Sequence, residues 1–197
     1  MEAQQKNIQS KVIKNKNFAV YLDEDMTEHP DYLHQDIPPH CTADKFFPEI
    51  NKFFLEFEKK TGLEIIIAAH PRSSFSKDRN PFPNHKIVFG KTIELVKKSK
   101  LTFAHMSTSM NFAIFYNKPI ILLDSNQYSK ALRNYIGLWS SKLDLEVINI
   151  SIDWPLSIPS FKSNQKVYNR YKNNYIKEQS TPEKFVWLWY LRIFQAK

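Results

Sequence analysis

Apolar residues along this chain fall into short runs separated by polar stretches. Phe18-Ala19-Val20-Tyr21-Leu22 is uninterrupted, and residues 63–69 (Leu-Glu-Ile-Ile-Ile-Ala-Ala) are nearly so. Runs of this length and makeup predict strands covered on both faces. Shorter strands are predicted at 87–89, 101–104, 119–123 and 145–150. Between them the spacing changes. Over 43–61, Phe46, Phe47, Ile50, Phe53, Phe54 and Phe57 recur at helical intervals, with Thr42 as the cap and Gly62 as the stop. Helices are also predicted over 92–100, from the serines at 107–109 to 116, and over 127–141. Two more close the chain, over 166–179 and 182–196. Residues 23–41 read as one long polar loop, a length that is often functional.

Strands alternating with helices predict an α/β fold, a Rossmann-like parallel sheet with helices on both faces. The division is a polar lead-in over 1–17, a Rossmann-like domain over 18–160 and C-terminal helices over 161–197. Such sheets bind ligands beyond the carboxyl ends of their strands. Four polar clusters fall at that edge: Asp23-Glu24-Asp25, His70-Pro71-Arg72, Ser107-Thr108-Ser109 and Asp124-Ser125. Convergence of the four is expected from this topology.

Each cluster suggests a chemistry. Ser107, Thr108 and Ser109 open a helix, where unpaired N–H groups suit a phosphate, though the same residues also serve as plain caps. His70 offers an imidazole, Pro71 fixes the backbone after it, and Arg72 can grip a phosphate with two parallel bonds. The three acids at 23–25 could supply a general base, metal ligands or ordinary loop charge. Gly90-Lys91-Thr92 ends like a Walker loop, but His85 stands where its first glycine belongs. Lys91 and Thr92 are therefore second-tier phosphate or ribose contacts. His29, His34, His40 and Cys41 share a loop at spacings unlike those of zinc sites, so no metal is expected. No G-x-S-x-G elbow surrounds Ser109.

Composition narrows the classes. The 197 residues are 42% hydrophobic and 24% charged, a globular balance. Glycine occurs only 3 times, which argues against a glycine-rich nucleotide loop. The single cysteine, Cys41, excludes a disulfide framework and fits a reducing compartment. No apolar run is long enough to span a membrane. The polar opening residues lack the apolar core of a signal peptide. A cytoplasmic location is expected. The net charge of +8 is spread along the chain. It permits peripheral contact with an anionic membrane, including the inner membrane surface, and no nucleic-acid partner is expected.

Read in order, "IIIAAHPRSSF" and "VFGKTIELVKKSKLTFAHMSTSMNFAIFYNKPIILLDS" resemble the C-terminal, donor-binding half of bacterial GT-B type glycosyltransferases of surface-polysaccharide biosynthesis. "YLDEDMTEHPD" is similar to the opening strand and loop of the same group. The layout is like that of bacterial sialyltransferases with an HP motif and a Ser-Ser/Thr motif. It is more distantly like UDP-N-acetylglucosamine 2-epimerase. The resemblance covers roughly residues 18–180. It implies a CMP- or UDP-linked sugar as substrate, no separate cofactor, and a role in capsule or lipopolysaccharide glycans. His70 with Pro71 would contact the nucleotide and its phosphate. Ser107-Thr108 or Thr108-Ser109 would hold the phosphate as the nucleotide leaves. In that group the general base lies in an acidic, glycine-containing motif of the other half. Asp23-Glu24-Asp25 lacks the glycine, and the catalytic residue of this chain is unassigned. The acceptor glycan would be brought by a missing N-terminal half or a partner chain, against which the apolar last helix would pack. The alternatives are a non-catalytic or truncated nucleotide-sugar-binding or assembly protein, or an epimerase-like member of the fold.

Overall fold

A computed structural model of the chain describes residues 17–76, 79–152 and 161–176. Six strands form one sheet: β1 (Phe18–Leu22), β2 (Glu64–Ala68), β3 (Lys86–Val88), β4 (Leu101–Ala104), β5 (Ile120–Asp124) and β6 (Glu146–Asn149). Their order is β3-β2-β1-β4-β5-β6, and every pair is parallel. This is the doubly wound order of a Rossmann-like half-domain, and the fold class expected from the sequence is present. The helices are α1 (Pro30–His34), α2 (Ala43–Thr61), α3 (Thr92–Lys98), α4 (Met110–Phe115), α5 (Lys130–Leu143) and α6 (Gln165–Tyr171). A π-helical turn, Lys172–Ile176, continues α6.

The crossovers run in opposite directions from β1, which puts helices on both faces. The inner strands β1, β4 and β5 are buried almost throughout, whereas the edge strands β3 and β6 alternate with exposed residues. α2 turns Phe46, Ile50, Phe53, Phe54 and Phe57 inward. Phe53 and Phe57 meet Phe103 of β4 edge-on at 5.5 and 4.9 Å, and Phe54 lies 5.2 Å from Tyr21 of β1. Such edge-on aromatic pairs stabilise beyond the area they bury. α6 belongs to the same core: Tyr168 is buried and donates its O–H to the Lys118 carbonyl at 3.2 Å.

With so few glycines, the left-handed turn positions pass to other residues. Gly62 ends α2 at φ 69° as expected, but Asp25, Asp36, Asn117 and Asp144 also hold positive φ. Asp and Asn tolerate that region because their short polar side chains bond locally. Asp144 is the stop of α5.

Several boundaries differ from the expectation. The 23–41 loop contains α1, a helix too short for its periodicity to show. The serine helix starts later, at Met110, and is only 6 residues long. The helix expected over 166–179 is α-helical to Tyr171 and π-helical to Ile176. The remainder of that helix, the helix expected over 182–196 and nearly all of the 1–17 lead-in lie outside the described residues.

One buried bond clamps the centre of the sheet. His105, fully buried just past β4, donates Nδ1–H to the Leu123 carbonyl of β5 at 2.9 Å. Its Nε2 must then accept from the Tyr21 hydroxyl, 3.0 Å away on β1. Three strands are thus joined through one imidazole. Tyr21→Phe leaves that nitrogen buried without a donor and should destabilise the fold by about 1–3 kcal/mol. Urea unfolding reads this as a lower midpoint with an unchanged slope. An unchanged midpoint would refute the clamp.

Candidate functional site

The strand order reverses between β1 and β4, and the loops leaving these strands open the crevice in which such sheets bind ligands. The loop after β1 holds both of its neighbours. Asp23 is buried, and its Oδ2 accepts from the His70 N–H at 3.0 Å and the Ser73 hydroxyl at 2.7 Å. It thereby fixes the loop after β2. Glu24 turns the other way. Its carboxylate accepts from the N–H of His105 at 2.9 Å and of Met106 at 3.1 Å, and the Ser107 N–H also points to it. It thereby fixes the loop after β4. Burial pushes the Glu24 carboxyl up to about 7 against the pull of these three N–H groups.

The serine stretch is engaged within the chain. Ser107 Oγ accepts from the Ser109 N–H at 3.1 Å, and the next N–H groups enter α4. Ser109 is the cap residue but makes no side-chain cap bond. Glu24 occupies the N–H groups that an incoming anion would meet first.

A donor cluster forms elsewhere. The sequence contains two His-Pro dipeptides, His29-Pro30-Asp31 and His70-Pro71-Arg72. Both fold alike: His29 Nδ1 accepts from the Asp31 N–H at 3.2 Å, and His70 Nδ1 accepts from the Arg72 N–H at 3.3 Å. An imidazole whose Nδ1 accepts in this way carries its proton on Nε2, which is then a donor. The two rings pack at 4.9 Å, and Arg72 pairs with Asp31 at 3.1 Å. Burial, then the neighbouring His29, lowers the pKa of His70, so its ring is neutral near pH 7. Their place after a buried strand pointed to His70 and Arg72, while spacing treated His29 as a poor zinc ligand. The repeated His-Pro dipeptide was the signal for the pair.

Two cavities lie on either side of the 24–31 segment. One, about 250 Å³, is lined by Glu24, Met26, His29, Tyr32, His40 and Met106. The other, about 280 Å³, is lined by Asp25, Glu28, Phe47, Phe75, Arg79 and Asn80, among others. His40 contributes to the first while bonding Ser129, the cap of α5, at 2.8 Å. A wider cavity of about 500 Å³, with Lys100 and Lys118, lies at the amino edge of the sheet and contains none of the expected site residues.

Two expected members stand apart. Asp124 pairs with Arg133, and Ser125 bonds Glu49 and Ser151, so this cluster closes on its own surroundings. Lys91 is exposed as the N-cap residue of α3, and Thr92 follows it. They leave β3, three strand spacings or about 14 Å from the loop after β4. Among the described residues no three His, Cys, Asp or Glu side chains lie together as metal ligands. Among them, too, no helix is long and apolar enough to cross a membrane.

No family model matches the sequence, and no curated protein matches it. Among solved structures, the chain is similar to the "Glycotransferase of kitacinnamycin", with 8% identity and a TM-score of 0.39. The match covers 70% of this chain and 31% of that one. A likeness at that level carries no argument about function.

Glu24 and His105 oppose one another in their effect on stability. His105 is held down to about 4 by burial. Between pH 6.5 and 4 the unfolded chain takes up its proton and the folded chain does not, so stability falls with pH there, by about 3 kcal/mol. Glu24 is the reverse. Between pH 7 and 4.5 the folded chain keeps a proton that the unfolded chain has lost, so stability rises as pH falls. In the wild type these two contributions should largely cancel from pH 6.5 to 4.5, leaving a shallower loss of stability from His40, His70 and His85, whose pKa values burial also lowers. Glu24→Gln should lose stability steeply over the same range in urea titrations, and equal slopes for the two proteins would contradict this account.

Proposed function

We propose that the chain is the nucleotide-sugar-binding half of a GT-B type glycosyltransferase acting in capsule or lipopolysaccharide biosynthesis. The observation that carries this reading is the paired His-Pro turn. Two imidazoles whose Nδ1 atoms are spent on backbone N–H groups stand with a guanidinium at the carboxyl edge of the sheet, beside its switch point. His29 and His70 would donate Nε2–H to oxygens of the nucleotide phosphate, and Arg72 would turn from Asp31 to meet it. Donors oriented in advance favour an oxyanion as the leaving nucleotide takes up charge.

The serines would take a second place. Ser107, Thr108 and Ser109 lie two strand spacings from His70, about 10 Å, within the reach of a nucleotide diphosphate-sugar. Their hydroxyls remain candidates for ribose or sugar contacts. The Ser107 N–H would serve a phosphate only if Glu24 withdrew, and the Ser109 N–H only if it left the Ser107 hydroxyl. Lys91 and Thr92 would act only on a ligand extending towards β3. The acceptor would be brought by a second half or a partner chain.

Titration calorimetry with CMP and UDP is the test. Binding is expected, weakened about tenfold or more by His70→Ala or His29→Ala, the range for a hydrogen bond to a charged group. The absence of heat at millimolar nucleotide would end the nucleotide reading. A specific observation favours a second reading, a binder without transferase activity: Asp23 and Glu24 both spend their carboxylates on holding loops, Asp23 through the His70 N–H and the Ser73 hydroxyl, Glu24 through the His105 and Met106 N–H groups. Nucleotide binding with no sugar transfer, in the presence of any partner half, would select it.

A further inference from the structure

We propose that the cavity between the 25–28 turn and the loop out of β2 seats the pyrimidine ring of the nucleotide. The proposal rests on the nucleotide reading above and extends it to the base. The cavity, about 280 Å³, is smaller than the 300–1,000 Å³ usual for a whole ligand and suits one ring system. Two of its walls are phenyl rings set in place from behind. Phe47 and Phe75 stand edge-on to the fully buried Phe82 at 5.5 and 5.9 Å. Both are only partly buried, which leaves ring surface for a ligand. Every base offers a π-face to such walls.

The polar groups are equally directed. Asn80 Oδ1 accepts from the Phe82 N–H at 2.9 Å. The carboxamide is thereby oriented, and its NH2 is left as a fixed pair of donors. Cytosine and uracil both carry a carbonyl oxygen beside the glycosidic nitrogen for such donors to read. Arg79 Nη2 holds both Glu28 oxygens, at 3.0 and 2.9 Å, so that pair carries no net charge, and Asp25 is the remaining acid of the lining. Aromatic walls, fixed donors, a neutralised ion pair and a further acid suit an uncharged heteroaromatic ring better than a phosphate. The same loop carries His29 on its other side. Base and phosphate would therefore be held across one turn, with the ribose between them.

The test uses the full chain with CMP, UMP, AMP and inorganic pyrophosphate, followed by calorimetry and saturation-transfer NMR. Asn80→Asp keeps the oxygen that accepts from Phe82 but removes the donors, and Phe75→Ala removes one wall. Each variant should bind CMP and UMP about tenfold more weakly while pyrophosphate binding is unchanged. AMP should bind at least tenfold more weakly than CMP. The cavity assignment is overturned if CMP and UMP bind but both variants match the parent, or if AMP binds as tightly. If no nucleotide binds at all, the nucleotide reading itself falls and takes this assignment with it.

Discussion

Two carboxylates at the end of β1 point in opposite directions, and the carboxyl edge of the sheet takes its shape from them. Asp23 fixes the loop after β2 through a backbone N–H and a hydroxyl, and Glu24 fixes the loop after β4 through backbone N–H groups. Both loops leave strands that flank β1. Hydrogen bonds to a carboxylate in a partly buried setting are the stronger kind, so these loops are held rather than merely connected. The clamp through Tyr21, His105 and Leu123 lies just beneath and ties the same strands from inside.

The strands and α2 were legible because their signal is local. An unbroken apolar run such as Phe18 to Leu22 has few readings other than a strand buried on both faces, and a phenylalanine stripe at helical spacing has one obvious face. α1 was not legible, since 5 residues cannot display a period. The candidate site was legible in part. His70 and Arg72 stood out by following the strongest strand. His29 did not, because its partner lies far along the chain and only the repeated His-Pro dipeptide linked them.

The serine stretch shows where a local signal stops. Hydroxyl residues at a helix start announce unpaired N–H groups, but here Met110, Asn111 and Phe112 donate to the carbonyls of Ser107, Thr108 and Ser109. What no local pattern reveals is that Glu24, 81 residues earlier than His105, takes the N–H groups of the loop that leads into them. An acidic trio read as base, ligand or loop charge is resolved by tertiary contacts: two of its members tie loops, and Asp25 supplies a left-handed turn.

The floor and rim of the crevice therefore differ in polarity. A carboxylate lies at the floor beside Met106, while imidazole N–H groups and a guanidinium stand on the rim. The rim carries less net charge than its residue types suggest, because Arg72 is already paired with Asp31 at 3.1 Å and the His70 ring is neutral near pH 7. The two levels therefore differ in the kind of hydrogen bond they offer more than in net charge, and the edge of the sheet sorts what approaches it by where donors and acceptors stand.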